Sequence, residues 1–217
     1  MRLKLLISTT AILGILVVWQ LMQRGAEPVD NLHAIDARME KLRLAGDVET
    51  LSAETENTDI PTARQAVEAL GHLGAKAVPK LRRALQDKRP EVRQQAARAY
   101  ARAADPKQAA PILAKIATTD KSPAVRASAI TGLGHRRTYE AMDTLLAEMN
   151  DDDVVVRGRA AEAVVTILGR RYPYDPHDPP AKRLEIIAKI RKFWLRAKSD
   201  VRNYFDKRRR EAKTSKN

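Results

Sequence analysis

The chain has 217 residues, 44% of them apolar and 31% charged, a balance that supports a packed core and excludes wholesale disorder. Aromatic residues are only 4%, glycine is 9 of 217 and cysteine is absent, which argues against β-sandwiches and barrels and excludes disulfides, thiol nucleophiles and cysteine-ligated zinc. The net charge of +13 is uneven: residues 1–58 carry −2, residues 59–169 carry +5 and residues 170–217 carry +10, so the basic character points to a local anionic contact near the C-terminus.

Residues 1–4 are a short basic tail containing Arg2 and Lys4. The run Leu5–Met22 follows without a single charge, and as a helix it measures about 27 Å, close to the ~30 Å hydrocarbon core of a bilayer. Trp19 stands near its far end, where an amphipathic ring suits the interface, and Arg24 closes it. The flank Gln23-Arg24-Gly25-Ala26 lacks the small-residue pattern of a secretory cleavage site. Residues 5–23 are therefore predicted to be an uncleaved transmembrane signal anchor, with a cleaved secretory signal as the alternative. More Lys and Arg precede the span than follow it, which predicts a cytoplasmic N-terminus and an exported remainder.

Residues 24–58 read as a linker and N-terminal capping helices. Leu32, Ile35, Met39 and Leu42 recur at helical spacing between Asn31 and Leu44, Gly46-Asp47 breaks the pattern, and Val48–Leu51 suggests a short second helix before a polar loop from Ser52 to Asp59.

Residues 59–169 are repetitive. Ala77-Val78-Pro79-Lys80-Leu81, Ala109-Ala110-Pro111-Ile112-Leu113 and Ala141-Met142-Asp143-Thr144-Leu145 begin 32 residues apart. A second motif runs Pro90-Glu91-Val92-Arg93, Pro123-Ala124-Val125-Arg126 and Val154-Val155-Val156-Arg157, with Asp87, Asp120 and Asp151 six residues before each Arg. Alanine-rich stretches follow each Arg, and Pro61-Thr62-Ala63-Arg64 reads as an earlier copy one residue shorter. Each unit is predicted to be a helix, a turn and a second helix. Proline suits the first helical turn and Ser122 suits an N-cap. Gly71, Gly74 and Gly134 suit the turn after the first helix. Leu81, Leu113 and Leu145 share one repeat position and are predicted to be buried.

Residues 170–206 form a proline-rich insertion followed by a C-terminal capping helix that begins near Ala181, with Leu184, Ile187, Ile190, Trp194 and Val201 as its apolar stripe. Residues 207–217 are a basic tail headed by Lys207, Arg208, Arg209 and Arg210, expected to be frayed and available to an anionic partner.

None of the four histidines pairs with another at helical spacing, so the sequence offers no metal site, and no cofactor is expected. Catalytic acids beside cationic clamps are one reading of the Asp and Arg residues of the repeat. Their recurrence favours another: a catalytic group is needed once, a contact between neighbouring units at every interface. Asp151-Asp152-Asp153 lacks the spaced ligands and glycine of a calcium loop and reads as an acidic helix N-terminus. Phe193 and Trp194 are interleaved with positive charge but are best placed to cap the core.

The in-register pattern D-x-x-P-x-V-R-x-x-A-A, continued by A-L-G-x-L-G and A-V-P-x-L, resembles the HEAT-like repeat family in its short bacterial form, the phycobilisome-lyase type. That resemblance implies an all-α solenoid of HEAT-like helix pairs, here preceded by a single transmembrane helix. It implies a non-catalytic scaffold that binds another protein, with no small-molecule substrate. If second helices line the concave face, as is usual in such solenoids, the candidate contacts are Lys80, Arg83, Ile112, Lys115, Thr144 and Glu148. Nucleic acid, held by the basic C-terminal region, is the alternative partner, although Trp and Phe are absent from residues 59–169. An enzyme or chaperone of bilin attachment follows from family analogy alone and has no motif behind it.

Overall fold

Aspartates and prolines set where the helices begin. The computed structural model describes residues 29–214, which form α1 (Val29–Ala45), α2 (Val48–Glu54), α3 (Ile60–His72), α4 (Val78–Ala84), α5 (Pro90–Ala103), α6 (Pro106–Thr119), α7 (Pro123–His135), α8 (Met142–Glu148), α9 (Val154–Leu168) and α10 (Pro180–Thr214). Short 3-10 turns, Gly74–Ala77 and Tyr139–Ala141, lead into α4 and α8. Asp47, Asp59, Asp105 and Asp153 cap α2, α3, α6 and α9 by accepting N–H bonds from the first turn. Ser122 makes no such bond; instead the Asp120 Oδ1 atom accepts the Ser122 N–H at 2.9 Å, an aspartate turn that does the same work one step earlier.

The helices alternate between two layers. α1, α3, α5, α7 and α9 pack side by side, and α2, α4, α6, α8 and α10 lie behind them. Backbones approach closely along the first layer and touch only sparsely along the second. Small residues are the reason. A Cβ on Gly71 would stand 2.8 Å from the Ala99 Cβ, and one on Gly134 would stand 2.8 Å from the Ala163 Cβ and 2.9 Å from its Cα. Both glycines are helical and buried, so they serve close approach and not the turn; Gly74, with φ +66°, does take the turn. A stack drawn tighter along one layer bends toward it, so the first layer lines the inner side of the curve.

Leu81, Leu113 and Leu145 are buried as expected, and their layer fills the space between units with Leu, Ile and Met. α10 closes the C-terminal end with Ile186, Ile187, Ile190 and Trp194. Leu184 was expected in that stripe but is half exposed. Arg183 occupies the face instead, its guanidinium donating to the Asn150 Oδ1 atom at 2.8 and 3.1 Å and to the Asp178 carbonyl at 2.6 Å. α10 runs to Thr214, and Lys207 is an exposed residue on it. The Leu5–Met22 run lies outside the described residues, and among the described residues no helix is long and apolar enough to cross a membrane.

Candidate functional site

A hydrogen-bonded ladder makes the stack rigid. The Arg93 guanidinium donates to both Asp120 carboxylate oxygens, at 2.8 and 3.0 Å, and to the Asp87 carbonyl at 2.8 Å. Arg126 repeats this on Asp151, at 2.9 and 2.8 Å, and on the Asp120 carbonyl at 3.0 Å. Each arginine thus binds its own loop and the next unit's aspartate. Burial alone would raise the Asp120 carboxyl, but Arg93 and the Ser122 N–H outweigh it and hold the acid below its usual range.

The ends of the ladder differ from its middle. Arg157 donates to the Pro176 carbonyl at 2.7 Å, a backbone acceptor supplied by the proline-rich insertion. At the other end Asp87 is held by Arg89 of its own loop. The first unit has no ladder arginine. Its burial pattern aligns Ala63, not Arg64, with Arg93, and Asn57 with Asp87; Asn57 accepts the Asp59 N–H as Asp87 accepts that of Arg89. Arg64 is exposed.

The candidate contacts selected on second helices lie on the outer layer, because the P-x-V-R helices, not those following them, form the tight inner side. Arg83 and Lys115 are exposed there, whereas Lys80, Ile112 and Thr144 are half-buried. Lys80 is engaged by Glu49 at 2.7 Å and Arg83 by Glu56 at 2.7 Å. Glu148 is buried; desolvation, joined by a hydrogen bond to the Asp151 carboxylate, pushes its carboxyl up to about 7. It belongs to the interior of the second layer. Lys207 is exposed on α10, while the side chains of Arg208, Arg209 and Arg210 lie outside what is described.

The inner layer carries the features that the sequence reading left unassigned. A groove of about 700 Å³ opens between α5, α7 and α9, lined by Arg98, Arg102, His135, Arg136 and Arg159 above a floor that includes Ala124, Ala127 and Gly132. A second cavity of about 530 Å³ adjoins it, sharing Thr131, His135 and Arg159 and reaching Arg171, Tyr172 and Tyr174 in the insertion. The Tyr174 hydroxyl donates to the Met149 carbonyl, but the buried Tyr172 hydroxyl has no partner among the described residues. Tyr172 meets Phe193 edge-on at 6.5 Å, and the Arg170 guanidinium stands 5.5 Å from one ring and 5.6 Å from the other. Among the described residues no cluster of three or more His, Asp or Glu side chains could hold a metal.

Comparison with known proteins agrees with this architecture. A family model described as HEAT repeats matches residues 48–122 and 110–176, more than half of the chain. The solved complex of CpcE and CpcF of phycocyanin lyase from Nostoc sp. PCC7120 contains a chain that is 28% identical, with a TM-score of 0.50, over 70% of this chain and 97% of that one. No curated protein matches.

Proposed function

Because the chain belongs to the HEAT-repeat family, we propose that it is a non-catalytic scaffold, anchored in a membrane, whose curved stack holds a protein partner. The observation that carries this is the inner groove: a concave surface of small apolar residues edged by arginines, set on helices that the Arg–Asp ladder links. A rigid surface of that kind loses little entropy when it binds. The similar solved chain comes from a complex of CpcE and CpcF, which supports a protein as the partner. The uncharged Leu5–Met22 run is long enough to supply the anchor, and the charges around it favour a cytoplasmic N-terminus with the repeats exported.

Crosslinking and pull-down from native membranes, with and without nuclease, test the reading. Protein partners that survive nuclease support the scaffold; recovery that depends on nucleic acid overturns it. That second outcome would follow if the +10 charge of residues 170–217 were the true binding feature.

A further inference from the structure

We propose that the inner groove between α5, α7 and α9 docks an extended, acidic segment of the protein partner; this rests on the scaffold reading and adds the chemistry of what is bound. Four arginines line the groove and, among the described residues, no carboxylate does. Two of them are already balanced from outside it: Arg102 pairs with Glu68 at 2.7 Å and Arg159 with Glu162 at 2.8 Å. Arg98 and Arg136 are not. Among the described residues Arg98 reaches only the Ser128 hydroxyl, at 3.3 Å, and Arg136 only the Ala104 carbonyl, at 3.4 Å. Both bonds are long and both acceptors neutral, so each planar guanidinium keeps donors and a full charge for a carboxylate, its best bidentate partner.

The geometry fits a strand. Arg98 stands on α5 and Arg136 caps α7, the helices of consecutive units. Packed helices lie roughly 8–10 Å apart, and Arg136 stands about five residues further along its helix than Arg98, so the two lie on a diagonal of roughly 11–13 Å, which three to four residues of extended chain cover at about 3.3 Å each. The floor of Ala124, Ala127 and Gly132 lets a main chain approach without a bulky obstacle. Single-stranded nucleic acid would need stacking rings along its path, and among the described residues no aromatic side chain lines this groove.

The test is fluorescence anisotropy with the full chain in neutral detergent and a labelled peptide carrying Glu at every third position, beside its Gln counterpart and an oligothymidylate of equal charge. The acidic peptide should bind, the Gln peptide should not, and rising salt should weaken binding. Arg98→Glu with Arg136→Glu should raise Kd at least tenfold, and the milder Arg98→Gln with Arg136→Gln should act in the same direction. Lys115→Glu, on the outer layer, should change it less than twofold. Circular dichroism checks that each variant stays helical. Failure of the acidic peptide to bind, indifference to both double substitutions, or tenfold tighter binding of the oligothymidylate overturns the proposal. If the peptide fails while wild-type chain still yields crosslinked protein partners, the groove is wrong and the scaffold stands; if no protein is ever crosslinked, the scaffold reading itself falls.

Discussion

Replacing Asp120 with alanine tests whether the ladder holds the stack together. The substitution removes both oxygens that receive the Arg93 fork and the acceptor of the Ser122 N–H. The two side chains are 17% and 11% exposed, so the lost bonds are shielded from water. Breaking a buried ion pair costs about 3–5 kcal/mol because a charge is left without its partner. Arg93 keeps the Asp87 and Lys88 carbonyls, at 2.8 and 3.1 Å, which soften that loss. The expected cost is therefore about 2–4 kcal/mol. Asp120→Asn retains an acceptor for Ser122 and should cost roughly half as much. Arg64→Ala is the matched control: Arg64 looks like a ladder residue in sequence but is exposed and out of register, so its loss should stay within about 0.5 kcal/mol. Urea unfolding followed by circular dichroism, on chain lacking residues 1–26, reads all three. Costs for Asp120→Ala below the control's level, or an Arg64→Ala cost equal to it, would refute the ladder.

The other expectations concern the core, a titrating pair, an orphan hydroxyl and the N-terminus. Leu113 is 1% exposed, so Leu113→Ala should cost about 2–5 kcal/mol in the same unfolding assay. Glu148 has its folded pKa raised from 4.5 to about 7, so the folded state holds the extra proton between those values; the Glu148 contribution to stability should be full below pH 4.5 and be lost as pH rises through 7, by up to about 3 kcal/mol, and Glu148→Gln should abolish that part of the slope in melts run between about pH 5 and 8. Tyr172→Phe removes a buried hydroxyl without a partner and should raise stability by about 1 kcal/mol, whereas a loss of that size would show that the hydroxyl is bonded. Carbonate extraction should leave the full chain in the membrane pellet with Met1 or Arg2 still present at its N-terminus; soluble protein starting near Ala26 would end the anchor proposal.

The repeat was legible because it is written three times. Asp87, Asp120 and Asp151 with their arginines announced a contact between units before any coordinate, and Leu81, Leu113 and Leu145 announced the core. What misled was the first unit, where Arg64 sits beside Ala63 and a one-residue offset moves a charge from the ladder to the solvent. The glycines were misassigned for a related reason: Gly71 and Gly134 end a helical pattern, and sequence cannot distinguish a turn from a place where two backbones nearly touch. The binding face was harder to read for the same reason, because curvature follows from which layer packs more tightly. Arg98, Arg102 and Arg136 carried a weak signal, as the long polar side chains on helices otherwise given to alanine.

The way Arg157 ends the ladder bears on whether these molecules stay separate. Every internal unit exposes, before its neighbour arrives, one arginine that seeks an aspartate and one aspartate that seeks an arginine. A stack cut at such a point would be self-complementary head to tail, and that kind of contact does not close but grows into filaments. Here the last arginine bonds the Pro176 carbonyl and the first aspartate bonds Arg89 from its own loop. The proline-rich insertion thus places its own backbone where the aspartate of a further unit would otherwise meet the terminal arginine, so the end of the stack differs from the face that a neighbouring unit uses.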